Sequence, residues 1–216
     1  MKLIRLLPLS LLSLLLMAAM PATLHAQQDD KAWFDYMDTY GGPRVGVMGS
    51  TLTKLDGDPL IGPAIGGFIE VHITPRIAIS FDMNYTHEGT NNAKCSFRSL
   101  DGKGPSDISM HMLNSDYRLR YYLTRQFSVA TGFHITRILR AYGETDGKSV
   151  KIHSDMRRGN LAIPLAAEYN FGPWAVEASY YFTLRKWAGT GDVKSIMGDA
   201  VTNKATVTLA YKFQIF

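Results

Sequence analysis

From about residue 43 onward, apolar and polar residues alternate with a period of two, the spacing of half-buried strands and not of helices. The clearest run is Trp174 to Arg185. Trp174, Val176, Ala178, Tyr180, Phe182 and Leu184 share one face, and Glu177, Ser179, Tyr181, Thr183 and Arg185 share the other. Ile77–Glu88 and Leu161–Phe171 repeat the pattern. Near the C-terminus Val207, Leu209, Tyr211, Phe213 and Ile215 oppose Thr206, Thr208, Ala210, Lys212 and Gln214. Weaker versions run over Arg44–Leu52, Ala64–Ile73, Ser109–Leu123 and Phe127–Leu139. These segments predict eight strands, several with the roughly 9–11 residues that a tilted strand needs to cross a bilayer.

The breakers between them form a second pattern. Three connections are tight: Thr74-Pro75-Arg76, Thr124-Arg125-Gln126 and Gly172-Pro173. Four are long and polar, at about residues 53–63, 89–108, 141–159 and 188–203. Long and short alternate strictly. Short periplasmic turns and longer external loops are the arrangement of outer-membrane barrels. The predicted fold is therefore all-β, an eight-stranded antiparallel up-and-down transmembrane β-barrel.

Alternation alone leaves open which face looks outward, since a soluble barrel turns its apolar face inward. The polar faces carry ionisable groups of both signs: Glu70, Asp82, Asp116, Arg118, Arg120, Glu168, Glu177 and Arg185. Inside a narrow barrel such groups can pair, whereas isolated buried charges are very costly. The expected lumen charge network is Glu70, Asp82, Arg118, Arg120, Glu168, Glu177 and Arg185. Aromatic residues gather toward the tight turns, at Tyr121, Phe127, Tyr169, Phe171, Trp174, Tyr211 and Phe213, as an interfacial girdle does. Both observations place the apolar face in lipid.

The N-terminus fits export. Lys2 and Arg5 precede an apolar run from Leu6 to Met20, and small residues lead to Leu24-His25-Ala26. That is the layout of a secretory signal peptide cleaved after Ala26. The run is short of the ~20 residues of a spanning helix. The expected organisation is a signal peptide over 1–26, a short periplasmic leader over 27–42 and a barrel over 43–216. Without Lys2 and Arg5 the 23 basic residues become 21, against 19 acidic ones, so no nucleic-acid partner is implied. Cys95 is the only cysteine, which excludes an intramolecular disulfide.

The segment from Gly62 to Gly89, GPAIGGFIEVHITPRIAISFDMNYTHEG, resembles the first hairpin of PorT-like outer-membrane β-barrel domains. It shares their glycine-containing strand, tight turn, and long strand ending in an aromatic, a polar pair and glycine. Tyr117-Arg-Leu-Arg-Tyr-Tyr-Leu123 is similar to the family's next inward-running strand, and Ile163-Pro164 to its Ile-Pro step. The resemblance implies a barrel in the outer membrane and no single activity.

Catalytic signals are weak. Gly143-Glu-Thr-Asp-Gly-Lys-Ser149 is one residue too short for a phosphate-binding GxxxxGK[ST] loop. His134 with Thr136, and Glu70 with His72, are the best enzyme lead, but a nucleophile-His-acid set needs a third member within reach. No His spacing suggests a metal site. The expected protein is thus a non-enzymatic monomer of the cell outer membrane, without cofactor or open pore, in a structural, adhesive or envelope-interaction role. A barrel enzyme acting on envelope lipid and a narrow pore are the alternatives. Its expected partners are outer-membrane lipid, lipopolysaccharide (through loop residues such as Lys148, Lys151, Arg157 and Arg158) and the barrel assembly machinery. The assembly signal is read as Val207, Leu209, Tyr211 and Phe213, with Gln214 to Phe216 a short extension, because only the register of Phe213 matches the lipid-facing pattern.

Overall fold

The computed structural model describes residues 33–95, 105–187, 194 and 200–216. The expected signal peptide, the leader up to residue 32 and the centres of the second and fourth long loops lie outside the described residues. Eight strands form the barrel: β1 (Thr39–Leu52), β2 (Asp58–Thr74), β3 (Ile77–Ala93), β4 (Ser106–Tyr122), β5 (Phe127–Thr145), β7 (Gly159–Phe171), β8 (Trp174–Thr183) and β9 (Thr202–Tyr211). A short β6 (Lys148–Lys151) pairs with the end of β5, and β10 (Phe213–Gln214) continues β9. Sequential barrel strands pair antiparallel, and β9 returns to β1 from Leu52↔Thr202 to Arg44↔Ala210. The sheet is closed.

The tight turns are made by local chemistry. Thr74 Oγ1 accepts from the Ile77 amide at 2.9 Å, and Thr124 Oγ1 accepts from the Phe127 amide at 2.9 Å. The hydroxyl stands in for a backbone acceptor and reverses the chain within three residues. In the third turn Gly172 has φ of 61°, a left-handed conformation that costs glycine little.

Two boundaries differ from the sequence reading. β1 begins at Thr39, so Thr39 to Gly42 belong to the barrel and not to the leader. Gly42 is the last residue of the expected leader, yet a Cβ there would stand 1.8 Å from the Tyr211 carbonyl oxygen. The strand needs glycine because its neighbour approaches so closely. At the other end, Gln214 to Phe216 are not a loose extension. Tyr40↔Gln214 and Gly41↔Phe213 keep the offset of the β1–β9 ladder. The Ile215 amide donates to the Thr39 carbonyl at 2.7 Å, and the Thr39 amide donates to the Phe216 carbonyl at 3.0 Å. These residues complete the seam. Val207, Leu209, Tyr211 and Phe213 all lie on the exposed apolar face.

Near the turns the outer face is a belt of exposed Ile79, Leu119, Tyr121, Phe133, Ile135, Tyr169, Trp174, Val176, Leu209 and Tyr211. The strands outrun that belt. Seventeen residues rise about 56 Å, or roughly 43 Å along the axis at a tilt near 40°, against a membrane band of ~25 Å. Beyond the belt the sidedness inverts. Leu52, Leu55, Ile108, Met110, Met112, Ile138, Ile152, Met156 and Trp187 pack inside the loop end, while Asp107 and Glu144, opposite one another, face out.

Candidate functional site

The interior of the belt is a stack of buried polar side chains, assembled because every second residue of every strand points there. In the layer nearest the turns, Arg120 reaches Glu70 with Nε at 2.8 Å and Glu168 with Nη1 at 3.2 Å. Lys212 lies 3.3 Å from Glu70 and 3.0 Å from Glu168, and the Tyr122 hydroxyl donates to Glu70. One step up, Glu177 is a hub for three guanidinium groups: Arg44 at 2.6 Å, Arg118 at 2.7 Å and Arg120 at 2.7 Å. Arg118 also holds Asp82 at 2.6 Å. In the third layer Lys204 donates to Glu88 at 3.0 Å, and His134 meets Asp116 at 2.6 Å. Each carboxylate of the stack thus faces a cation or a histidine, the condition under which buried charge is tolerated.

Six of the seven residues expected in the lumen network are in this stack: Glu70, Asp82, Arg118, Arg120, Glu168 and Glu177. Arg185 is the correction. It lies exposed beyond β8, which ends at Thr183, and its carbonyl accepts from Asn160 Nδ2 at 2.9 Å. Parity was extended past the point where the strand stops, and outside a strand alternation carries no orientation. The sequence reading left Arg44, Glu88, Lys204 and Lys212 out of the network. Glu88 and Lys212 already stood on polar faces of clear strands, and that was the usable signal. Arg44 opens a glycine-rich weak strand, and Lys204 borders a long loop.

The enzyme lead changes form. The structure supplies the missing acid, because Asp116 sits on His134 Nδ1 while Thr136 Oγ1 is 2.8 Å from Nε2. Lys204 Nζ also lies 2.8 Å from Nε2. An ammonium group has only donors, so Nε2 must accept from it, and that lone pair is not free to take a proton from Thr136. The adjoining cavity, lined by Asp116, Arg118 and Tyr181 among others, measures about 10 Å³, which leaves no room for an acyl substrate. This set of three is a structural network. His72 is buried at the turn end, stacked on Phe34 at 3.9 Å and 3.3 Å from Glu70.

A larger space of about 330 Å³ opens at the turn end between Phe34, Tyr40, Tyr122, Arg125, Asn170 and Lys212. It stops at the Glu70–Arg120 layer. At the opposite end lies the apolar cluster around Trp187. Among the described residues no group of three or more His, Cys, Asp or Glu is placed to hold a metal ion.

Cys95 packs against that apolar cluster, half-buried, and burial pushes its thiol above its ordinary pKa. The reactive species is the thiolate, and a raised pKa lowers its fraction at neutral pH. Labelling of Cys95 by an impermeant maleimide on intact cells is therefore expected to be slower than that of a free thiol at pH 7. It should accelerate as pH rises through and above 9. A rate equal to that of free cysteine at pH 7 would contradict the buried placement.

No family model matches the chain, and no curated protein is significantly similar to it. Solved structures with similar traces are small barrels. The attachment invasion locus protein Ail of Yersinia pestis is 13% identical with a TM-score of 0.49, over 82% of this chain and 100% of Ail. Neisserial surface protein A is 12% identical with a TM-score of 0.48, over 81% and 97%. The outer membrane protein OprG of Pseudomonas aeruginosa is 15% identical with a TM-score of 0.38, over 85% and 99%. The strand order and closure described above define the fold without them.

Proposed function

We propose that this chain is an integral, monomeric protein of a Gram-negative outer membrane, related to PorT-like barrels, whose closed barrel anchors an ordered external end. The inversion of sidedness carries the reading. Over the belt the barrel is apolar outside and charged inside, as lipid requires; above it the barrel is apolar inside and polar outside, as water requires. One chain facing two solvents at a fixed height is the signature of a protein that crosses a bilayer and projects from it. The loops then lie outside and the turns in the periplasm. The projecting end has its own core, so its role is to present a stable surface at the envelope, structural or adhesive, and not to conduct or catalyse. The terminal strand with Val207, Leu209, Tyr211 and Phe213 is the segment offered to the assembly machinery.

Two measurements test this. Folded protein extracted from membranes should migrate differently on a gel before and after boiling, because a closed barrel resists SDS until heated. Reconstituted in planar bilayers, it should give no steady conductance. A stable open channel would transfer the protein to the pore class. Identical gel migration with a helical circular dichroism spectrum would remove the barrel altogether.

A further inference from the structure

Just above the belt, one lateral row of the outer face collects basic side chains from three neighbouring strands. His87 on β3, His111 on β4 and Arg140 on β5 are direct register partners. Adjacent strands stand about 4.8 Å apart, so the row spans roughly 10 Å. The two imidazoles lie parallel, centroids 4.7 Å apart and planes 5° from coplanar. Ser109 Oγ is 2.6 Å from His87 Nε2, and the Tyr85 hydroxyl is 2.6 Å from His111 Nδ1. Those bonds orient the rings and engage one nitrogen of each.

Arg140 joins the row through a backbone irregularity. His111 pairs with Arg140, but Met112 pairs with Ile138, so Leu139 is the extra residue of a bulge. Ile138 points inward, and strict alternation would send Arg140 into the lumen as well. The bulge instead leaves Leu139 and Arg140 both exposed, which is how bulges re-aim side chains. In the row below, Tyr85↔Leu113↔Arg137, Arg137 is exposed too. Neither arginine has a carboxylate partner among the described residues. The nearest outward acids on these strands, Asp107 and Glu144, lie two rows above His111, and Asp107 Oδ1 accepts from the Asn92 amide at 2.7 Å. Apolar Met83, Leu113, Ile135 and Leu139 cover the surface directly beneath.

We infer that His87, His111, Arg137 and Arg140 form a seat for the phosphate groups of an outer-leaflet glycolipid, its acyl chains lying over Met83, Leu113, Ile135 and Leu139. This rests on the outer-membrane reading. The site faces sideways at headgroup depth, not outward at the tip, so its occupant is a lipid of the surrounding leaflet. Guanidinium groups match phosphate oxygens in paired hydrogen bonds, and exposed arginines bordering an apolar surface extend their heads toward the polar layer. The loop cations Lys148 and Lys151 lie farther out on β6 and are not needed for this seat.

The test uses the full folded barrel in detergent, with bound lipid counted by native mass spectrometry. Lipid A carrying its phosphates is expected to bind about tenfold more tightly than dephosphorylated lipid A. The R137Q/R140Q variant should lose most of that preference, while R125Q at the turn end keeps it. Inorganic phosphate in excess should not displace the lipid. Equal binding of the two lipids, or an unchanged preference in R137Q/R140Q, overturns the proposal, and full displacement by inorganic phosphate replaces the lipid by a free anion. Heat-modifiable migration of each variant establishes that it is folded, with R140Q used should the double variant not fold. Failure of the wild-type protein itself to show that migration would fault the barrel reading and not the lipid seat.

Discussion

Replacing Arg118 by methionine is expected to destabilise the folded barrel by about 3–5 kcal/mol. Arg118 lies between Asp82 and Glu177 with both contacts under 3 Å, and all three side chains are at most 4% exposed. Methionine fills much of the volume but leaves Asp82 without its shortest ion pair and Glu177 with two of its three guanidinium partners. Arg44 stays 3.4 Å from Asp82 and 2.6 Å from Glu177, and Arg120 stays 2.7 Å from Glu177, so the deficit falls mainly on Asp82. Uncompensated buried charge, not lost attraction, is the source of the penalty. Adding Asp82→Asn removes one charge of each sign, so the R118M/D82N double variant should recover part of the loss, a coupling that a double-mutant cycle isolates. Urea unfolding of the barrel in lipid vesicles, followed by tryptophan fluorescence, measures each term. An R118M barrel within about 1 kcal/mol of wild type would mean that the lumen does not depend on pairing.

The second large effect is expected at the opposite end. Trp187 is 2% exposed within the apolar cluster, and its Nε1 donates to Thr202 Oγ1 at 2.7 Å. Trp187→Ala removes the largest side chain of that cluster and leaves the Thr202 hydroxyl without its donor, with a cost of about 3–5 kcal/mol. The cost should stay local, because the belt is held by the strand ladder and the charge stack, and regions of one protein open independently. W187A is therefore expected to show fast proteolytic cutting at the loop end in folded, heat-modifiable protein. Since Trp33, Trp174 and Trp187 are the only tryptophans, the variant should also lose its one deeply buried emitter. A protease pattern identical to wild type would show that the external end has no core of its own.

The two variants probe interactions of different legibility. Asp82, Arg118 and Glu177 stand on polar faces of clear strands, so their inward direction follows from parity. Their mutual contacts do not. Arg44 meets Glu177 across 133 residues of chain, and only the stagger at which β9 closes on β1 decides which inward side chains share a layer. The core around Trp187 was missed because Leu55, Ile152 and Met156 stand in segments that read as polar loops, and Trp187 stands between the alternating run that ends at Arg185 and the loop from about residue 188, where no period reveals a buried face. Arg185 was misplaced for the related reason that a strand's end is set by its neighbours.

The sequence by itself determined the strand count, the alternation of turns and loops, and the apolar outward face of the belt. Each is a local property, because successive side chains of a strand point to opposite sides whatever the rest of the chain does, and a threonine or glycine reverses the chain within a few residues. Tertiary structure alone decided the pairing of the lumen charges, the completion of the seam by Gln214 to Phe216, the bulge that turns Arg140 outward, and the height at which inside and outside exchange character. These depend on register between strands distant in sequence and on where the surrounding solvent changes, and neither quantity is written into the period of any one strand.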